Sequence, residues 1–444
     1  MNRAWTWCPL GELFEIGAGK TMSAAARNGT DKTPFLRTSN VFWDEIDLSS
    51  VDGMSIPDHE LQTKLLRAGD LLVCEGGEIG RAAIWSGEVE TMSFQNHLHR
   101  LRAIAKEIEP RFYVYFLQSA FTQLGIFEGA GNKTTIPNLS RSRLAGLKVP
   151  KPKIDEQIAI VAALSRVRKA IKTQDQSITL ARDLKRAAMR MLFTRGLRGE
   201  RQKETEIGPV PESWEVVSFA SVREKLQYGT SVRCTYDASD RPVLRIPNIE
   251  PQRVNSDDLK YCTLTGNDAA RYQLNENDLI FIRTNGVLDR LGSCAVYTGD
   301  PANALFASYL IRARMKLARV DPRFAAFFFG SEMGTGIVAG RATPASDGKF
   351  NLNTATIDSL PLPLPPALDE QREIVAILDA INHKIDLHCR KCTVLGDLFK
   401  ALLHKLMTGE IRVADLDPPM IQQGNRSAYD YLQCNPPHVS HKTG

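Results

Sequence analysis

An internal duplication is the feature that most constrains how this 444-residue chain can fold. Seven short blocks of the first half recur in the same order 208 to 214 residues later. They begin at Trp5, Phe35, Gly69, Ile79, Pro110, Asn138 and Ile154, and they recur from Trp214, Val243, Asn277, Leu291, Pro322, Asn351 and Leu368. Chance does not preserve the order of seven blocks, and the rising offset is typical of insertions in surface loops. The chain therefore contains two copies of one structural unit.

Composition sets only broad limits on function. Hydrophobic residues make up 43% and charged residues 24% of the chain, as in ordinary soluble proteins. No stretch reaches the roughly 18 apolar residues of a membrane helix, and residues 1–9 lack a signal-peptide pattern. We therefore expect a cytoplasmic protein without membrane contact, and we expect its eight cysteines to be reduced. The net charge of +5 is compatible with nucleic-acid binding but does not indicate it by itself.

Each copy changes from a strand pattern to a helix pattern. Short apolar runs between Gly, Asn and Asp, such as residues 70–74 and 278–282, predict strands and turns. A proline-rich segment then leads into a helical period, at residues 150–152 and again at 361–366. We predict a mixed α+β and α/β fold of two globular modules and two long helices. The modules are residues 1–150 and 209–366, the helices lie within residues 151–208 and 367–412, and residues 413–444 form a flexible tail.

Both helices carry the same apolar stripe, which we call the helix seam. Its positions alternate four and three residues apart over about four and a half heptads, as in a coiled coil. They are Ile160, Leu164, Val167, Ile171, Gln174, Ile178, Ala181, Lys185, Ala188 and Leu192, and 214 residues later Ile374, Leu378, Ile381, Ile385, His388, Cys392, Leu395, Phe399, Leu402 and Leu406. This narrow stripe favours antiparallel pairing into a rod about 60 Å long that separates the modules. The alternative is that each helix packs only on its own module.

At this point the sequence resembles the DNA specificity subunits of type I restriction-modification systems. The matching features extend over about residues 5 to 412, and their order and duplication are more specific than any single block. They are the doubled Trp-led opening, residues 69–73, 76–80 and 131–140, and the Asp-Glu-Gln helix openings at residues 155–157 and 369–371. The second copy departs from the pattern with Asn277 in place of Gly69 and without the doubled glycine in residues 282–291, which puts the turn there in doubt.

The resemblance implies a non-catalytic subunit that determines where a larger complex acts. It implies two target recognition domains, each reading one half of a bipartite, asymmetric site in double-stranded DNA. The helices would set the gap between the halves and dock two methyltransferase subunits, and restriction-translocase subunits would join that core. No cofactor is expected on this chain, because S-adenosylmethionine, ATP and Mg²⁺ would be bound by the partner subunits.

Comparison of the two copies suggests which side chains contact DNA. Residues kept in both, Arg37 with Arg245 and Asn40 with Asn248, are explained either by the scaffold or by a contact that every target offers, such as phosphate. Residues that differ in the same frame are where two different sequences would be read: Asn96-His97 against Ser308-Tyr309, Glu75 against Arg283, and Lys133-Thr134-Thr135 against the longer loop 341–349. The candidates are Arg37, Asn40, Arg81, Asn96, His97, Lys133, Thr134, Thr135, Arg245, Asn248, Arg283, Asn285, Arg341 and Lys349. For any single one of them, a solvated loop position is the simpler explanation.

The first helix region is strongly basic. Residues 151–201 contain 13 Lys and Arg against 5 Asp and Glu, whereas residues 369–412 contain seven of each kind. Either nearby DNA phosphates, or an acidic partner surface, or a simple solvated face would account for this charge.

Fragments that imitate catalytic motifs do not form complete sites. Residues 19–21 end like a phosphate-binding loop, but Phe14 stands where that motif needs glycine. Residues 435–438 resemble part of an adenine-methyltransferase motif, without its aromatic residue or a cofactor strand upstream. Cys389 and Cys392 beside His388 lack the further ligands that zinc needs, and the Glu75 and Glu78 pair is not repeated in the second copy. We predict no catalytic residue and no metal site.

Two other functions remain open from the residues alone. One is a tandem-module adaptor that binds only proteins, and the other is a self-contained restriction or modification enzyme. A DNA footprint in two patches would distinguish the specificity subunit from the adaptor, and methyl transfer by the isolated chain would support the enzyme.

Overall fold

The computed structural model describes residues 5–125, 138–238 and 240–416. The chain divides into two compact units, residues 1–173 with 391–444 (unit 1) and residues 174–390 (unit 2). Each unit therefore contains one module together with half of each long helix, whereas the sequence division treated the helices as separate segments.

The helices inside the modules are short, and each copy ends in one very long helix. In the first copy they are α1 (Ala24–Asn28), α2 (Asp58–Lys64), α3 (Pro110–Thr122), α4 (Arg141–Gly146) and α5 (Ile154–Arg195). In the second copy they are α6 (Phe219–Val222), α7 (Gly266–Tyr272), α8 (Pro322–Phe329), α9 (Glu332–Gly340), α10 (Thr354–Asp358) and α11 (Leu368–Thr408). The long helices α5 and α11 span 42 and 41 residues and begin where the proline segments end, as predicted.

The first module is built from small sheets. Its strands are β1 (Thr6–Pro9), β2 (Phe14–Ala18), β3 (Lys32–Leu36), β4 (Val41–Phe42), β5 (Glu45–Ile46), β6 (Asp52–Ser55), β7 (Leu71–Cys74), β8 (Ala82–Ile84), β9 (Ser93–Phe94), β10 (Leu98–Ala103) and β11 (Lys148–Lys151). An antiparallel sheet in the order β2-β10-β7-β8 forms the centre, and β6-β3-β9 forms a second sheet in which β3 and β9 are parallel. Strand β1 pairs with β11, which brings the beginning and the end of the module together.

The second module repeats this topology. Its strands, with the connecting hairpin β12–β13, are β12 (Gln202–Thr205), β13 (Gly208–Pro211), β14 (Glu215–Ser218), β15 (Arg223–Tyr228), β16 (Arg241–Leu244), β17 (Ile249–Glu250), β18 (Gln252–Val254), β19 (Lys260–Cys262), β20 (Leu279–Ile282), β21 (Thr284–Asn285), β22 (Cys294–Val296), β23 (Leu305–Phe306), β24 (Leu310–Met315), β25 (Thr343–Pro344), β26 (Phe350–Asn351) and β27 (Pro361–Leu364). The first four strands of its six-stranded sheet β15-β24-β20-β22-β18-β17 match the central sheet of the first module, and β19-β16-β23 and β14-β27 match the two smaller sheets. The duplication predicted from the sequence is confirmed at the level of topology.

The Asp-Glu-Gln openings of α5 and α11 fasten each helix to its module. Gln157 is fully buried and accepts from the backbone N–H of Glu109, the residue that caps α3, at 2.9 Å. Gln371 accepts from the N–H of Asp321 at the start of α8 at the same distance. The glutamate before each glutamine accepts from the indole N–H of the opening tryptophan, at 3.1 Å in the first copy and 3.4 Å in the second. Two blocks that are distant in sequence therefore recur together because they contact each other.

The long helices pack against each other as well as against the modules. In unit 1, Ile160 and Leu164 near the start of α5 share one core with Leu402 and Leu406 near the end of α11 and with the aromatic face of α3. In unit 2 the end of α5 and the start of α11 share the other core. The two helices are therefore antiparallel, and both explanations of the seam hold in part: the helix ends also pack on the modules.

Every seam position is buried or half-buried. The apolar set comprises Ile160, Leu164, Val167, Ile171, Ile178, Leu192, Ile374, Leu378, Ile381, Ile385, Leu395, Phe399, Leu402 and Leu406. In the middle of the stripe Gln174 and His388 form a 2.8 Å hydrogen bond in unit 2. These two residues are each other's counterparts in the repeat, 214 positions apart. A residue meets its own counterpart only where two equivalent segments cross antiparallel and in register. Supercoiling of the pair remains a prediction.

Of the two departures in the second copy, the turn at Gly69 is retained at Asn277, whereas the segment without the doubled glycine forms β21 and a 3-10 turn at Leu288–Arg290. Gly69 has φ of 92° and Asn277 has φ of 71°, so both lie in the left-handed region. Asparagine is one of the few non-glycine residues that tolerate this conformation. Each residue donates its N–H at 2.9 Å or less, Gly69 to Trp85 and Asn277 to Tyr297. The substitution therefore preserves the geometry of the turn.

Candidate nucleic-acid interface

The two asparagines shared by both copies are part of the scaffold. Asn40 is buried, and its amide nitrogen donates to the backbone oxygens of Asp47 and Ser50 at 2.9 Å each. Its amide oxygen accepts from the N–H of Arg37 at 2.9 Å. Asn248 makes the equivalent three bonds in the second module. Because their polar atoms are used inside the chain, we withdraw Asn40 and Asn248 as DNA-contact candidates.

The shared arginines also make internal contacts. The guanidinium of Arg37 lies 2.8 Å from a carboxylate oxygen of Asp52, and that of Arg245 lies 2.8 Å from Asp258. This Arg–Asp ion pair therefore recurs in both modules, next to the shared asparagine. Since the Arg37 side chain is still 39% exposed, a phosphate contact at this position is sterically open.

Arg81 is largely enclosed by the first module. Its side chain is 13% exposed, donates to the backbone oxygen of Thr38 at 3.2 Å and lies over the ring of Phe42 at 5.0 Å. A salt bridge of 3.3 Å to Glu78 occupies its outer edge. These contacts favour a structural role in holding the loop that precedes β8.

Asn96 and His97 lie at the tip of a tight turn between β9 and β10. The N–H of Leu98 donates to the oxygen of Gln95 at 2.9 Å, which closes the turn. Asn96 is half-buried and His97 is exposed. The equivalent turn of the second module carries Ser308 and Tyr309, and the Tyr309 side chain is 58% exposed.

Arg283 lies beside that second turn. Its guanidinium donates to the backbone oxygens of Ser308 and Leu352, at 3.4 Å each, and stands 4.9 Å from the ring centre of Tyr228. Tyr228 is 38% exposed and was not a candidate from the sequence. The contact joins the end of β15 to the residue between β20 and β21, 55 positions later, so no local pattern indicates it.

The remaining candidates of the second module lie on and beside the small sheet β21-β26-β25. The side chain of Asn285, in β21, accepts from the N–H of Val287 at 2.9 Å. Arg341 is half-buried at the end of α9, just before β25. Lys349 is exposed, and its 2.7 Å bond to Asp347 raises the pKa of the ammonium, which stays positively charged at neutral pH. The structure thus places Arg283, Asn285, Arg341 and Lys349 on adjoining segments.

Several sequence predictions lie outside the described residues. They are the candidates Lys133, Thr134 and Thr135, the tail fragment at residues 435–438, and the flexible tail predicted for residues 413–444 from residue 417 onward.

Comparison with known proteins identifies the family to which this duplicated chain belongs. A family model for the type I restriction modification DNA specificity domain matches residues 2–180 and again residues 211–395. The chain belongs to this family. The two matches coincide with the two copies found by inspection of the sequence.

Individual relatives of this DNA specificity family match over most of the chain. The MjaX specificity subunit, assigned to a type I restriction enzyme of Methanocaldococcus jannaschii, is 26% identical over 90% of this chain and 94% of its own length. The type I restriction enzyme EcoKI specificity subunit of Escherichia coli is 24% identical over 67% of this chain and 65% of its own. The S subunit of the type I restriction-modification system from M. genitalium has the same fold, with a TM-score of 0.55 at 15% identity over 91% of this chain and 96% of the other.

Membership of the DNA specificity family establishes the non-catalytic class predicted from the sequence. Among the described residues, no group of three His, Cys, Asp or Glu side chains is arranged to hold a metal ion. In the same part of the chain, none of the helices is both long and apolar enough to cross a membrane.

Much of the positive charge of α5 is balanced within the DNA specificity fold. In unit 1, Arg168 and Lys172 lie 3.7 and 3.1 Å from the carboxylates of Asp44 and Glu45. In unit 2, Arg190 pairs with Glu332 at 3.2 Å. A purely solvated basic face is therefore not the whole explanation of the charge, because several of these residues dock the helix on its modules.

Proposed function

We propose that this chain is the specificity subunit of a type I restriction-modification complex and reads a bipartite, asymmetric site in double-stranded DNA. One observation carries the proposal: the two modules share a scaffold down to individual hydrogen bonds and differ in the side chains at the tips of equivalent turns. A shared scaffold with different tips is suited to reading two different sequences with one docking geometry. Each module would read one half-site.

The long helices offer equivalent docking positions for two methyltransferase subunits. Leu180 on α5 and Val394 on α11 are repeat counterparts, and their side chains are 69% and 67% exposed. In unit 1 an apolar groove of about 530 Å³ lies between Ile158, Ala162 and Ala163 of α5 and Leu395 and Leu398 of α11. Exposed apolar residues at counterpart positions of the repeat support one equivalent partner contact on each long helix, with apolar helical surfaces as the complementary chemistry.

The partner subunits would supply the chemistry of the complex. S-adenosylmethionine would bind to the methyltransferase subunits, and ATP with Mg²⁺ to the restriction-translocase subunits that join through that core. The assembled complex would act in the cytoplasm, where DNA and these cofactors are available.

The test is methylation of a randomised duplex library by the chain assembled with its methyltransferase subunits. We expect methylation at one asymmetric site made of two half-sites with a fixed gap, and no methylation by the chain alone. In a second arm, residues 209–365 are exchanged for another recognition module. One half-site should then change while the other stays the same. Simultaneous change of both halves, or protein binding without any DNA selectivity, would favour the adaptor instead.

A further inference from the structure

One turn in each module is held by an unusually complete set of backbone bonds. In the first module we define it as residues 95–98. Besides the bond that closes the turn, the backbone N–H of Gln95 donates to the backbone oxygen of Leu36 at 2.9 Å. The backbone N–H of Asn96 donates to the backbone oxygen of Lys20 at 3.0 Å. The oxygen of His97 accepts from the N–H of Glu75 at 2.9 Å. Three separate segments of the chain therefore fix the backbone of four residues.

The second module fixes residues 307–310 with the same bonds. The backbone N–H of Ala307 donates to the backbone oxygen of Leu244 at 2.9 Å, and that of Ser308 donates to the backbone oxygen of Thr230 at 2.8 Å. The oxygen of Tyr309 accepts from the N–H of Arg283 at 3.1 Å. Every bond has its counterpart in the first module, although the two tip side chains differ. The backbone geometry is thus independent of the residues at the tip.

A glycine at the same place in each module makes this arrangement possible. A Cβ atom on Gly19 would stand 2.3 Å from the oxygen of Gln95, and one on Gly229 would stand 2.2 Å from that of Ala307. Both distances are far below van der Waals contact, so only glycine allows the neighbouring segment to approach the turn. Neither glycine has a positive φ, so the requirement comes from this close approach and not from backbone conformation.

We propose that these two turns are equivalent reading turns, and that the dipeptides Asn96-His97 and Ser308-Tyr309 set the base preference of their half-sites. A backbone fixed by three segments holds its tip in one position with little loss of entropy on binding. Tip side chains that no scaffold bond requires are free to differ between copies. The inference rests on the proposed function, because it names the residues through which that function is exercised.

The chemistry of the tips fits the major-groove edges of base pairs. The Asn96 amide can donate to and accept from adenine, which is the commonest pairing of asparagine with a base. The Ser308 hydroxyl is less selective, and the exposed Tyr309 ring offers an apolar face to a thymine methyl group. Arg283 acts on the second turn as a positioning residue through its bond to the Ser308 oxygen. The two turns should consequently prefer different bases in the same geometric frame.

The experiment exchanges the tips in the full chain, assembled with its methyltransferase subunits. The double variant Asn96→Ser with His97→Tyr and the reciprocal variant Ser308→Asn with Tyr309→His are each assayed by methylation of a randomised duplex library. We expect a change of about 5- to 150-fold in preference at one or two base pairs of the half-site of the exchanged module. The other half-site, the gap and the thermal unfolding midpoint should be unchanged.

A matched control separates the turn from a general effect of removing an exposed tyrosine. Tyr236→His makes the same replacement at a side chain that is 66% exposed outside the turn, and it should leave both half-sites unchanged. Unchanged preference in both tip variants, or an equal change in the control, would overturn the reading turns while the wild-type site still supports the proposed function. If the wild-type complex selects no bipartite site, both proposals fail together.

Discussion

At the scale of single residues, the described structure separates side chains that build the fold from those that the fold presents. The presence of the same residue in both copies does not distinguish these two kinds of side chain. A residue that forms a scaffold bond and a residue that contacts phosphate would both be retained in the two copies. Asn40 and Asn248 illustrate this: only their burial and their three hydrogen bonds show what they do. Tip residues of the turns are recognised instead because the bonds that fix these turns use their backbones and not their side chains.

This distinction predicts opposite outcomes for two asparagine variants. Asn40→Ala removes the three hydrogen bonds of a buried side chain, so we expect the free energy of unfolding of the first module to fall by about 1–3 kcal/mol. Asn96→Ala should change it by less than about 0.5 kcal/mol, because the bonds that fix this turn use the Asn96 backbone and not its side chain. Urea unfolding measures both. A stable Asn40→Ala variant with impaired DNA binding would show that Asn40 contacts DNA after all.

Lys185 provides a pH-dependent test of the helix contact in unit 2. Burial lowers the pKa of this seam lysine from 10.5 to about 8, with Arg253 adding to the effect and Asp386 opposing it. The ammonium donates to Gln252 at 2.8 Å and lies 5.5 Å from the ring centre of Phe327. Because the folded state binds this proton more weakly than the unfolded state, stability should rise as pH increases from about 8 to about 10.5.

The control for that titration is Lys185→Met, which keeps the length of the side chain and removes the proton. Between pH 8 and pH 10 the unfolding midpoint of the wild type should rise relative to that of the variant. A constant difference between the two proteins over this range would mean that the lysine is not desolvated in the fold.

At the scale of elements, the sequence predicted more than it did for single residues. The starts of α5 and α11, directly after the proline segments, followed from periodicity and proline, which act locally. The packing of the helix ends on the modules did not, because Met189 and Phe193 lie beside the predicted stripe and join the core of unit 2 only in three dimensions. The contact between Arg283 and Tyr228 escaped prediction for the same reason.

The paired helices predict how the gap between half-sites can be changed. One heptad inserted after Ile171 in α5 and one after Arg390 in α11 would lie at opposite points of the antiparallel pair, since Gln174 meets His388 nearby. The insertions add roughly 10 Å at 1.5 Å per residue, which corresponds to about three base pairs. We expect methylation of unchanged half-sites at the longer gap. An insertion in α5 alone is the control and should impair assembly, and an unaltered gap would contradict the spacer role.

At the scale of the whole molecule, the chain consists of two equivalent halves that supply each other's helix partner. A fragment of residues 1–208 retains one module and one helix, with the seam of α5 left without α11. That apolar stripe should recruit a second copy of the fragment, and the resulting dimer should favour a palindromic site made of the first half-target. The basic charge of α5 and Lys185 on its seam oppose the self-pairing, so dimerisation should strengthen with salt.

Sedimentation of the fragment at low and high salt measures this association. The full chain under the same conditions is the reference for a molecule whose seam is already covered. A fragment that stays monomeric at both salt concentrations would show that the module contacts, and not the seam, hold the long helices in place.

The hydrogen bond between Gln174 and His388 has a consequence for the history of such a chain. In an ancestor made of two identical half-length polypeptides, the residue at this crossing would have faced a copy of itself, and any mutation there would have altered both sides at once. Fusion of two such genes would remove that restriction. A glutamine could then be selected on one helix of the crossing and a histidine on the other, and the same freedom would allow the tips of the two turns to diverge. Under the proposed function, covalent linkage would give a duplicated chain access to an asymmetric DNA target.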